Sequence, residues 1–250
     1  MKKGFFLFGI VLLCFYAPCR GQNSIQTDRP DQTETSSLVP KGRFQGEFGI
    51  AHEQTDSHFR EYSLPTSLLK FGLSEWAEVR IGFTLTEEKS EDGHSYGLEP
   101  LTLGTKIKLA GEKGIRPSVS LLAEVSLPDA ASEAFRLDHL APEVRLLMQN
   151  KLSKSSNLGY NLGARFDGFS GQPEYLYTLS PSYSLTKKLR AFAETYGFLQ
   201  TGHHSEQWVD GGFSFLISPD LQVDVSGGYE LTHTGNYHNF FESVGVSFRI

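Results

Sequence analysis

The stretch that decides the fold closes the chain: Phe240-Phe241-Glu242-Ser243-Val244-Gly245-Val246-Ser247-Phe248-Arg249-Ile250. Its even positions are Phe240, Glu242, Val244, Val246, Phe248 and Ile250, apolar except for Glu242. Its odd positions are Phe241, Ser243, Gly245, Ser247 and Arg249, small or polar except for Phe241. Period two places successive side chains on opposite faces of an extended strand. One face is therefore apolar, and it meets either a second sheet, as in a secreted β-sandwich, or lipid.

The same alternation recurs upstream. Twelve segments carry it, at about 43–53, 61–73, 76–87, 98–110, 115–127, 142–152, 157–168, 174–185, 189–200, 207–218, 221–232 and 239–250. In the eleventh, Leu221, Val223, Val225, Tyr229 and Leu231 oppose Gln222, Asp224, Ser226, Glu230 and Thr232. Ten to thirteen residues is the length a tilted strand needs to cross a bilayer. Helical periodicity is confined to Ala130–Leu140, the one plausible short helix. The connections alternate between short turns (74–75, 111–114, 153–156, 186–188 and 218–220) and longer loops (54–60, 88–97, 128–141, 169–173, 201–206 and 233–238). Short turns on one side and longer loops on the other, with an even strand count, characterise outer-membrane barrels. Tyr62, Phe83, Tyr175 and Phe240 near strand ends suit interfacial girdles. The closing stretch also resembles the C-terminal signal of such barrels, with Ile250 where Phe or Trp is usual. The expectation is an all-β chain, an antiparallel up-and-down transmembrane β-barrel of about twelve strands.

The other end agrees. Lys2 and Lys3 precede an apolar run from Gly4 to Tyr16, followed by Ala17-Pro18-Cys19-Arg20-Gly21. This reads as a secretory signal over 1–21, cleaved near Gly21, since the run falls short of the about 20 residues of a spanning helix. Export to the outer membrane of a Gram-negative cell follows, with the C-terminal strand addressed to the insertion machinery and the barrel surface to lipid. The only cysteines, Cys14 and Cys19, lie in the signal, so no disulfide or thiol chemistry is expected beyond it. Without Lys2, Lys3 and Arg20, 20 of the 23 basic residues remain against 29 acidic ones, a net charge of −9. That argues against nucleic acid as a partner.

The polar faces carry the expected lumen charges. The basic ones are Lys70, Arg80, Lys106, Lys108, Arg116, Arg145, Lys151, Arg165, Arg190 and Arg249. The acidic ones are Glu47, Glu78, Glu124, Glu143, Asp167, Glu174, Glu194, Asp210, Asp224 and Glu230. The signs balance, unlike a porin with one dominant lumen charge. Glu78/Arg80, Glu143/Arg145 and Arg165/Asp167 sit two apart on one strand face, where ion-pair ladders form. Such a lumen is either filled by salt bridges or holds a narrow pore in which a solute competes with them.

Residues 22–42 precede the first strand and are polar. Thr27-Asp28-Arg29-Pro30-Asp31-Gln32-Thr33-Glu34, with Gly42 and Glu47 beyond, resembles the start of a bacterial transporter-like outer-membrane family labelled for a MetA pathway of phenol degradation. Gly97 to Lys106, leading to a strand that ends Leu127-Pro128, is similar to that family's second hallmark. Leu68-Leu69-Lys70-Phe71-Gly72-Leu73 followed by Glu78-Val79-Arg80 is similar to a third. The sequence departs at Glu99-Pro100, where Gly-Asp is more usual. The resemblance covers most of the chain beyond the signal. It implies a passive channel or transporter for a small solute, an aromatic one on the family's label, without cofactor or catalytic residues.

Two alternatives to a channel stand beside it: a non-conducting structural or surface-interaction barrel, and a lipid hydrolase using His203 and Ser205, two apart on one face if extended. The leader itself is either a lumen plug, with Asp28, Arg29, Asp31 and Glu34 pairing against lumen charges, or a disordered segment. All eight histidines fall in or beside the longer loops. His52, His58, His233 and His238 would share adjacent hairpins once strands 1 and 12 meet, a possible site for zinc or copper, or simply polar loop residues.

Overall fold

The computed structural model describes residues 24–55, 59–91, 93–202, 204–232 and 239–250. Every strand arises where side chains alternate. They are β1 (Phe44–Gln54), β2 (Arg60–Gly72), β3 (Ala77–Ser90), β4 (Gly93–Leu98), β5 (Leu101–Ala110), β6 (Ser118–Leu127), β7 (Ala141–Lys151), β8 (Ser156–Phe166), β9 (Pro173–Ser184), β10 (Leu189–Gln200), β11 (Glu206–Ser218), β12 (Leu221–Glu230) and β13 (Phe240–Arg249). All neighbours pair antiparallel in chain order. β13 returns to β1 in register from Gln45↔Arg249 to Gln54↔Phe240. Phe44 and Ile250 exchange backbone hydrogen bonds of 3.0 and 2.9 Å at the end of that seam. The sheet thus closes on itself and has no free edge.

Thirteen strand segments make twelve barrel staves. β4 and β5 both pair with β3, through Leu85↔Leu98 and Gly82↔Thr102, and form one stave broken at Glu99-Pro100. Pro100 has no N–H to donate, and the Glu99 amide reaches back to the Thr84 carbonyl at 2.9 Å. The span 88–97, read from sequence as loop, is largely hairpin. The expected helix over 130–140 is absent: two 3₁₀ turns, Pro128–Ala130 and Glu133–Phe135, occupy the start of that region. Neither has a side-chain N-cap, and turns this short give little helical stabilisation. β6 starts at Ser118 rather than 115, since a turn closed by Lys113 and Arg116 precedes Pro117.

Burial is inverted relative to a soluble protein. Nine apolar residues are buried, against 26 polar or charged ones that include Lys70, Glu78, Arg80 and Lys106. Val79, Ile81, Leu103, Ile107, Val144, Phe213, Val225 and Val244 are exposed instead. A closed barrel with a charged interior and an apolar outer wall is stable where lipid replaces water as outer solvent. No described helix is long and apolar enough to cross a membrane.

Candidate functional site

The lumen is built around residues 24–42, which lie inside the barrel. The segment starts at the short-turn end, where the Ile25 amide donates to the Pro219 carbonyl at 2.7 Å. It leaves at the same end, where Lys41 bridges Gly72 and the Gly42 amide reaches the Gly72 carbonyl at 2.7 Å. Between these points it is held from almost every side.

Three buried cations on β2, β3 and β5 form its main anchor. Lys70 contacts Asp28 at 2.6 Å and also pairs with Glu47. Lys106 lies 3.0 Å from Asp28 and 3.3 Å from Glu34. Arg80 grips Glu34 with two hydrogen bonds of 2.8 and 2.9 Å, reaches Glu124 at 2.7 Å and stands 3.6 Å from Asp28. Backbone amides complete the set. Asp28 and Arg29 donate to the Glu47 carboxylate, and Val39 donates to Glu78 at 2.6 Å. Buried charges persist only with partners of this density.

Arg29 crosses to the opposite wall, donating to Asp224 at 3.0 Å and to the Ser243 hydroxyl at 2.8 Å. Gly49 and Gly245 face each other across the β1–β13 seam, and a Cβ on either would lie 2.2–2.3 Å from Arg29 atoms. The guanidinium fits because both lack side chains. Asp31 accepts the Ser180 hydroxyl at 2.8 Å and lies within the field of Arg190. Thr33 bonds Glu194 and Thr178, Asn161 spans the Glu34 backbone at 2.8 and 3.0 Å, and Ser36 meets Ser118 and Ser120. Short neutral side chains of the lumen wall are therefore specific contacts of the leader, and sequence carries no signal that marks them out.

Most of the expected lumen charges lie on the inner face. Glu47, Lys70, Glu78, Arg80, Lys106, Glu194, Asp224 and Glu230 are buried; Lys108, Glu124, Glu143, Arg145, Arg165 and Arg190 are half-buried. Two lie elsewhere. Arg116 is exposed in the β5–β6 turn, because β6 begins later than expected. Asp167 follows the end of β8, is exposed, and accepts the Phe169 and Ser170 amides at 2.8 and 2.9 Å, which hold its carboxyl below the ordinary range. Of the three same-strand pairs, only Glu143 and Arg145 join. Arg165 pairs across strands with Glu174, and Arg80 with Glu34 and Glu124. Glu174 is the direct cross-strand neighbour of Arg165, whereas Arg80, opposite Lys70 and Gly104, reaches the leader at Glu34 and passes over Gly104 to Glu124 on the next stave.

On the long-loop side of the leader the lumen opens into a cavity of about 490 Å³. Adjoining spaces of about 320 and 410 Å³ lie towards β3–β5 and β6–β8. On the short-turn side are smaller spaces of about 30 and 160 Å³, both bordered by Arg190, Asn157 and Gln26. Tyr196, Phe198, Trp208 and Phe241 line the largest cavity, a set that sequence reasoning missed. The signal was present: Phe241 breaks the alternation of the last strand, and Phe192, Tyr196 and Phe198 share parity with Arg190 and Glu194.

Among the described residues no three His, Cys, Asp or Glu side chains converge as metal ligands. His52 turns to the outer wall, stacked 4.8 Å from Tyr62 with Nδ1 3.4 Å from Glu242. His58, His233 and His238 lie outside the described residues, as does His203; Ser205 contributes its carbonyl to Thr232 at 2.9 Å.

A closed twelve-stave barrel with a charged, partly filled lumen is the architecture of outer-membrane channels and porins. The chain belongs to the family described as "Putative MetA-pathway of phenol degradation", whose profile matches residues 27–250. No curated protein matches it in sequence. Among solved structures it is similar to an outer membrane channel from Pseudomonas putida F1, at TM-score 0.68 and 14% identity over 90% of this chain and 100% of that one. It is similar to the NanC porin at TM-score 0.56 and 10% identity, over 81% of this chain and 98% of the other. It is also similar to the CymD monoaromatic hydrocarbon channel at TM-score 0.51 and 10% identity, over 85% and 89%. At these identities the likeness is one of fold.

Proposed function

We propose that this protein is an outer-membrane channel that admits a small solute from the long-loop side, and that residues 24–42 act as its lumen plug. The observation that carries this reading is the pair of open spaces, on either side of a leader that is bonded to the wall by charges at Asp28, Arg29 and Glu34. A structural barrel has no need of a vestibule lined with rings and carboxylates. The fold shared with channels and porins supports the same reading, and CymD, a channel for monoaromatic hydrocarbons, makes an aromatic solute a reasonable first choice. No catalytic role is assigned to any residue.

Planar-bilayer recordings of the folded chain from residue 22 onward test the proposal. Discrete small current steps are expected, growing several-fold when residues 24–40 are deleted. Silence from both proteins, each shown to be inserted, favours the non-conducting scaffold. Current that deletion leaves unchanged removes the plug and keeps the channel.

A further inference from the structure

The large outer cavity has two unlike walls. On one, Tyr196 and Trp208 stack with ring centroids 6.1 Å apart and planes at 3°. Phe198 meets Tyr196 edge-on at 5.8 Å, and Phe241 tilts against Trp208 at 6.2 Å. On the other, Glu53 and Glu61 face each other directly in the β1–β2 register, and Glu61 is faced on its far side by Glu88. Like charges directly opposite destabilise a sheet. Among the described residues Glu53 and Glu61 form no ion pair, whereas Glu206 is hydrogen-bonded to the Trp208 indole and Asp210 stands beside Glu194, its partner in the β10–β11 register.

The cations bordering the same space do not neutralise these groups, because each has its own carboxylate. Arg29 pairs with Asp224, Arg145 with Glu143, and Arg165 with Glu174. The cavity therefore carries more carboxyl groups than cations beside the half-buried rings of Phe198 and Phe241. Arg165 shows what such a ring accepts: its guanidinium carbon stands 4.3 Å from the Phe198 centroid. Aromatic faces flanked by carboxylates recognise organic cations, attracting the charge through the ring quadrupole while excluding water. The volume is of the size that holds a small ligand.

We propose that this vestibule binds an organic cation with a flat apolar body, of the class of protonated aromatic amines. The proposal rests on the channel reading for how the solute arrives and narrows it to a chemical class. The ring system lies over Phe241 on the cavity side, and the ammonium faces Glu53 and Glu61. Glu53 and Glu61, which have no cation of their own, make an anion of the same shape unwelcome.

Trp208 supplies the readout. Trp76 is the only other tryptophan and is exposed at the short-turn end, so Trp76→Phe leaves one reporter in the cavity. Trp208 emission of the full-length protein is titrated at neutral pH with benzylammonium, benzyl alcohol and benzoate. Benzylammonium is expected to bind about tenfold or more tighter than benzyl alcohol, and benzoate weakest. In a Glu53→Gln/Glu61→Gln variant the preference over benzyl alcohol collapses. Equal binding of the cation and the alcohol by the unsubstituted cavity overturns the proposal without any need for the variant to fold. So does a cation preference that survives the double substitution. Bilayer current in potassium chloride separates the two readings. Cation-selective binding without current keeps the site and ends the channel, whereas current without cation preference does the reverse.

Discussion

Gly245 illustrates how much of this lumen hangs on single residues. Its absent side chain leaves room for Arg29, and Arg29 in turn neutralises Asp224, whose side chain is fully buried. Gly245→Val should displace the guanidinium and strand that carboxylate. Breaking a buried pair costs about 3–5 kcal/mol, so the urea midpoint for unfolding from lipid should fall accordingly. Asp28→Asn should behave similarly, because Lys70 and Lys106 both lose a charged partner. A shift below about 1 kcal/mol in either variant would show that water already reaches these groups. At this scale the sequence is half legible. Residue type identified Asp28, Arg29 and Glu34 as partners for lumen charge, since buried ions need counter-ions. It could not assign Asp31 to Ser180, which depends on the path of the leader through the lumen, or show that Gly49 and Gly245 form a cradle, which depends on which staves meet across the seam.

At the scale of the element, parity governs. Val244 lies on the outer face of β13, and Ser243, one residue away, lies within hydrogen-bonding distance of Arg29. Val244→Arg should cost about 2–4 kcal/mol if it sits at the bilayer midplane and less towards either interface, measured by folding into lipid vesicles. The leader is the other element whose removal has a predictable sign. Deleting residues 24–40 takes Asp28 and Glu34 from Lys70, Arg80 and Lys106 and removes Asp28, Asp31 and Glu34 against the single cation Arg29, so the open lumen becomes more positive. The enlarged conductance should therefore shift towards anion selectivity, read as a change in reversal potential across a salt gradient. Strands were legible because period two is a local signal. The β4–β5 break was foreshadowed only by Pro100. The helix expected over 130–140 failed because composition without a cap or sufficient length does not hold a helix.

For the whole molecule, charge is sorted along the barrel axis. Lys113, Arg116, Lys154, Lys187 and Lys188 crowd the short-turn end, while Glu91, Asp129, Glu133, Asp138 and Asp167 stand at the long-loop end. A multivalent organic cation such as spermine should block current far more strongly when added to the long-loop side, and raised salt should erase the difference. Equal block from both sides would mean that the outer mouth is screened. Net charge alone, −9 over residues 22–250, hid this polarity, which appears only once loops and turns are assigned to opposite ends.

The leader enters and leaves by one rim, with Ile25 at Pro219 and Lys41 at Gly72. It is a bight pushed into the barrel, never a thread drawn through it. Its insertion and withdrawal therefore require no staves to part, and the seam between Phe44 and Ile250 can remain shut throughout. Tension on the N-terminus from the short-turn side would peel its contacts one after another, Gln26 and Asp28 before Glu34, rather than shear them all together. The strongest cluster comes early in that order, so the first step is the hardest and the remainder follows with less resistance.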